Sequence, residues 1–89
     1  MSLAEFKAAF IKYVAEIDMK MPQAFTDATD LELIAIINRY LRPFSHDMNL
    51  CYSNLETLII ASGHEVPELT EEQKAKVKRF IAAFIKASE

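Results

Sequence analysis

The sequence predicts an all-α fold, a compact single domain over residues 1–89 with four helices at about 3–20, 30–42, 46–62 and 71–87. Three observations carry this. Gly63 is the only glycine and Pro22, Pro43 and Pro67 are the only prolines, too few turn formers for an all-β chain. Hydrophobic residues make up 52% of the chain beside 26% charged residues, the balance of a folded rather than a disordered protein. Apolar residues also recur at three- and four-residue intervals in four separate segments, each opened or closed by a recognisable signal.

The first helix opens on Ser2 and Glu5, which have the spacing of a capping box, each side chain meeting a backbone N–H left open at the helix start. Leu3, Phe6, Phe10, Tyr13, Val14, Ile17 and Met21 form its apolar stripe, and Pro22 is the natural stop. Gln23 to Thr29 then reads as a polar connector with Phe25 as its anchor in the core.

Thr29 and Glu32 repeat the capping-box spacing, and Asp27 and Asp30 place negative charge at the positive end of the helix dipole. This second helix offers more apolar surface than one neighbouring helix needs, with Leu31, Leu33, Ile34, Ile36, Ile37, Tyr40 and Leu41. On a helical wheel Glu32, Ala35, Asn38, Arg39 and Arg42 gather within an arc of about 120°, while Ile36, Tyr40, Leu33, Ile37, Leu41 and Ile34 span roughly 160°. Such a face is broad enough for two neighbouring helices and predicts a central position.

Pro43 disfavours helical geometry at Arg42, so the chain bends there and restarts near Ser45 or Asp47. In the third helix Met48, Cys51, Tyr52, Leu55, Leu58, Ile59 and Ser62 share one face, and Gly63 supplies the left-handed conformation that commonly ends a helix. Thr70 and Gln73 make the third capping box, and the fourth helix turns Val77, Phe80, Ile81 and Phe84 to the core with Ile85 at the margin.

The net charge of −3 excludes the overall basic footprint of a general nucleic-acid binder. Cys51 is the only cysteine, so no internal disulfide forms, and no run of about eighteen apolar residues is long enough to cross a bilayer. Residues 1–4 lack the basic and apolar blocks of a signal peptide, and the expected location is cytoplasmic.

The chemistry-bearing residues do not assemble into a catalytic or metal motif. His46 and Asp47 are adjacent, but helical neighbours point about 100° apart and His64 is the only other histidine. Asp18, Asp27 and Asp30 lack the alternating ligands and central glycine of a calcium loop. Cys51 lies on an apolar face with Leu55 and Leu58, and His46 points away from it, so it reads as a buried structural thiol. His64, Glu65, Glu68, Glu71 and Glu72 form an acidic patch that reads as a solvated helix start. No metal, cofactor or small-molecule substrate is expected.

Apolar residues lying off the buried stripes are more telling. Ile11, Met19, Leu50 and Ile60 project toward expected solvent and, with Ile36 at the apolar edge of the second helix, outline a protein-contact surface. The expectation is a non-enzymatic protein-interaction module, of adaptor, inhibitor or chaperone type, whose partner is another protein or a second copy of itself. The alternative is a small DNA-binding regulator that lays Lys74, Lys78 and Arg79 of the last helix along phosphates.

Overall fold

The computed structural model describes residues 2–89. Helix accounts for 72% of the described residues, and no strand forms among them. The elements are α1 (Leu3–Glu16), α2 (Gln23–Thr26), α3 (Asp30–Tyr40), α4 (Met48–Ala61) and α5 (Glu71–Ala87), with a 3₁₀ turn at Arg42–Phe44. The four long helices match the four sequence segments, so the all-α bundle is the fold.

All three capping boxes form. Ser2 and Glu5 exchange bonds of 3.0 and 3.2 Å, Thr29 and Glu32 bonds of 3.1 and 3.2 Å, and Thr70 and Gln73 bonds of 2.9 and 3.1 Å. Helix α4 starts differently: Asp47 is its N-cap, and Oδ1 accepts from the backbone N–H groups of Asn49 at 2.9 Å and Leu50 at 3.4 Å.

The boundaries depart from the periodicity in two places. Helix α1 stops at Glu16 rather than near residue 20, because Asp18 takes a left-handed φ of 56°. The N–H of Met19 then reaches back to the Val14 carbonyl at 2.9 Å and that of Asp18 to Ala15 at 3.4 Å, the paired bonds of a Schellman motif. Gly63, with φ of 89°, ends α4 in the same way: His64 donates to Ile59 at 3.2 Å and Gly63 to Ile60 at 3.0 Å. The connector after α1 also holds the short α2, which seats Phe25 at 6% exposure.

Phe10, Phe25 and Phe84 meet edge-on at centroid distances of 5.4–5.9 Å, while Leu33, Ile37, Cys51, Ile59, Val77 and Ile81 are all but sealed from solvent. Helix α3 touches both α4 and α5, as its broad face requires. The central place nevertheless belongs to α5, which packs against α1, α3 and α4. Its buried positions Val77, Ile81, Phe84 and Ile85, with Phe80 beside them, span about 140° of the helix, wide enough for neighbours on both flanks. Long-range polar contacts close the ends. Lys7 Nζ donates to the Ala28 carbonyl at 2.6 Å, and Arg42 bonds Asn38 Oδ1 at 2.7 Å, the Ile85 carbonyl at 3.3 Å and the Ser88 hydroxyl.

Candidate functional site

The five apolar residues singled out as an interface separate once the helices pack. Met19 is 2% exposed and belongs to the core, which corrects the expectation that it faces solvent. Its outward direction followed from a helix continued to residue 20, whereas the left-handed turn at Asp18 swings it inward beside Val14. Ile36 is half-buried against the core cluster. Ile11 is half-buried too and lines a shallow cavity with Val14, Met19 and Met21. Leu50, at 44%, and Ile60, at 62%, remain exposed.

Leu50 and Ile60 stand on one helix, separated by ten positions and so by about 80° around the axis and about 15 Å along it. Ser53, Thr57 and Ala61 are exposed between and beside them. This strip carries no charge. The helix has one charged residue, Glu56, which is half-buried and borders the strip one turn before Ile60, about 40° around the axis from it. Burial first, and the carboxylates of Glu56 and Glu71 after it, raise the Tyr52 hydroxyl above its ordinary pKa. The other flank is held to α3 by Asn54, whose Nδ2 donates to the Tyr40 carbonyl at 3.0 Å. The outer face of α4 is thus an uncharged ridge of Leu50, Ser53, Thr57, Ile60 and Ala61, about 17 Å from end to end.

Leu31, at 80% the most exposed large hydrophobic residue, occupies the outer face of α3 with Ala35 and Asn38. The sequence counts it with the apolar surface of this helix, whereas the fold leaves it on the outer side.

The basic residues of α5 likewise divide between two flanks. Lys78 Nζ donates to Asn49 Oδ1 of α4 at 2.7 Å and lies 5.8 Å from the Tyr52 ring centroid. Lys74 pairs with Glu71 at 3.6 Å. Arg79 lies about 100° around the helix from Lys78 and is exposed. Lys74, Lys78 and Arg79 therefore do not form one phosphate-facing row. Lys76 and Lys86, the other basic residues of this helix, share the exposed side with Arg79, and the Lys76 ammonium rests 4.3 Å from the Tyr13 ring centroid.

The polar chemistry is engaged locally. Asp47 is occupied as a cap, His46 is exposed, and Asp27 accepts from Gln23 at 2.9 Å. Cys51 is buried beneath the 3₁₀ turn, its Sγ within 3.4 Å of the Leu41 carbonyl and 3.2 Å of the Phe44 carbonyl, so the thiol adds a weak contact to carbonyls that already accept the N–H groups of Phe44 and Asp47. Burial first, and the nearby Asp47 carboxylate second, push its pKa up, the opposite of what a reactive thiolate needs. Among the described residues no three His, Cys, Asp or Glu side chains come close enough to hold a metal ion, and no helix is long and apolar enough to cross a membrane. Comparison with protein-family models, with curated proteins and with solved structures gives no match to this chain.

Proposed function

We propose that this protein is a non-enzymatic interaction module that pairs with a second copy of itself through the outer face of α4. The observation that carries the reading is the exposure of Leu50 and Ile60 on a strip with no charged side chain. Each chain carries a net charge of −3, so two copies repel across most of their surfaces. An uncharged ridge removes that penalty where they meet, and a twofold axis through it lets one patch serve both chains. Ser53 and Thr57 supply small hydroxyl side chains at the middle of the ridge, which permit close approach of two helices.

A single helix face about 17 Å long falls short of the ~800 Å² per partner of a standard interface, so the pairing is expected to be weak. Sedimentation velocity over a wide concentration range tests it. The wild-type chain should shift from monomer to dimer as concentration rises, and Leu50→Glu or Ile60→Glu should hold it as a monomer with unchanged helicity. A wild-type chain that sediments as a monomer at every concentration overturns the reading, as does a dimer that neither substitution weakens.

A further inference from the structure

A second surface lies on the opposite flank of α5 from α4. Contacts climb α1 as they descend α5: Tyr13 faces Lys76, Phe10 faces Phe80, and Phe6 shares one depression with Ala83, so the two helices run antiparallel. Where Ala83 and Ala87 stand opposite Phe6, the small side chains leave a trough. It has one depression of about 250 Å³ over Phe6, Phe80 and Ala83, continuing into another of about 300 Å³ over Phe6, Ala83 and Ala87. Lys76 and Arg79 edge the first and Lys86 the second. Among the described residues neither Arg79 nor Lys86 has an acidic partner within ion-pair distance, and the acids of α5, Glu71 and Glu72, stay in its first turn.

We propose that this trough binds an acidic amphipathic helix of another protein, with apolar anchors on Phe6, Phe80 and Ala83 and carboxylates on Arg79 and Lys86. Charge complementarity selects the sign of the partner, because an apolar floor edged by cations attracts a segment that carries acids beside its hydrophobic residues. Dimensions select its shape. From Lys76 to Ala87 the trough runs about 16 Å, the length of three helical turns, which suits anchors at i, i+3 or i+4, and i+7. Each depression is at or below the lower end of the roughly 300–1,000 Å³ of small-molecule pockets, so it accommodates single side chains of a partner. Phe6 and Phe80 are half-buried in the floor, where a helix ridge reaches them and a flat lipid surface does not. Three cations on an acidic chain are too few to track a nucleic-acid backbone.

The probe is a fluorescent synthetic helix of about 15 residues, long enough to hold three anchors. Leu and Phe occupy the anchor positions and Glu flanks them, beside a version with Lys for each Glu and a scrambled version. Anisotropy titrations should give micromolar binding of the acidic helix, weakening with salt, and affinities lower by about tenfold or more for the other two. The Arg79→Glu, Lys86→Glu double variant should prefer the Lys version, and Ala83→Trp should bind neither while keeping its circular dichroism. All of this should hold in the Leu50→Glu background, which separates the trough from α4 pairing. Equal affinity for acidic and scrambled helices, unchanged preference in the charge-reversed variant, or sedimentation with anionic phospholipid vesicles in place of peptide binding overturns the proposal.

Discussion

Met19 donates its backbone N–H to the carbonyl of Val14 at 2.9 Å, and this bond turns a residue that helical periodicity sends outward into the core. The turn depends on Asp18 holding φ at 56°, a conformation that short polar side chains tolerate and β-branched ones resist.

Asp18→Val should therefore destabilise the fold by about 1–2 kcal/mol, and Asp18→Gly should leave it unchanged or raise it by on the order of 0.5 kcal/mol. Met19→Ala should cost about 2–5 kcal/mol, as for other buried Met truncations. Urea unfolding followed by circular dichroism measures all three. A Met19→Ala variant of wild-type stability would show that the residue is outside the core.

What the sequence made legible follows from how far apart the partners lie. The three capping boxes need only i and i+3, and Ser2, Thr29 and Thr70 all cap as read. Gly63 ends α4 because its residue type names the backbone conformation, whereas Asp18, which does the same for α1, resembles any other surface acid. The separation of Arg79 from Lys78 by about 100° follows from helical spacing, whereas the engagement of Lys78 by Asn49, twenty-nine residues away, does not. Leu50 and Ile60 were read correctly as exposed because α4 is regular from Met48 to Ala61, so wheel positions carry over into space. Ile11, which the wheel sends to solvent, is half-buried, while Ile36 at the apolar edge of its helix is half-buried against the core as its margin position implies.

Cys51 should react with a disulfide reagent at neutral pH only as fast as the fold opens, because its thiol is sealed under the 3₁₀ turn. The raised pKa also sets a sign. Below the ordinary thiol pKa of 9.0 both folded and unfolded chains keep the proton. Above it the unfolded chain ionises first, and stability falls as pH rises toward the higher folded value. Chemical denaturation at a series of alkaline pH values should show this decline lessened in Cys51→Ala. An identical decline in that variant would remove Cys51 as a source.

Glu5 and Glu32 set the opposite slope in acid. Each carboxylate accepts its helix's N-cap backbone N–H, from Ser2 and Thr29, and these bonds are the first cause of pKa values below the ordinary 4.5. The capping contribution is complete above 4.5 and is lost as pH falls through the lowered folded values. The Glu5→Gln, Glu32→Gln double variant should lose less stability between pH 5 and pH 2 than the wild-type chain. A steeper acid loss in the variant would contradict the assignment.

The pairing of two chains along α4 makes a prediction about position as well as stoichiometry. Isotope-filtered nuclear Overhauser spectroscopy on a mixture of labelled and unlabelled chains reads only contacts between copies, whether the dimer is weak or tight. Intermolecular signals should connect the methyl groups of Leu50 and Ile60 to those of Thr57 and Ala61 on the other copy. No intermolecular signal at high concentration, or signals confined to side chains away from α4, would contradict the account.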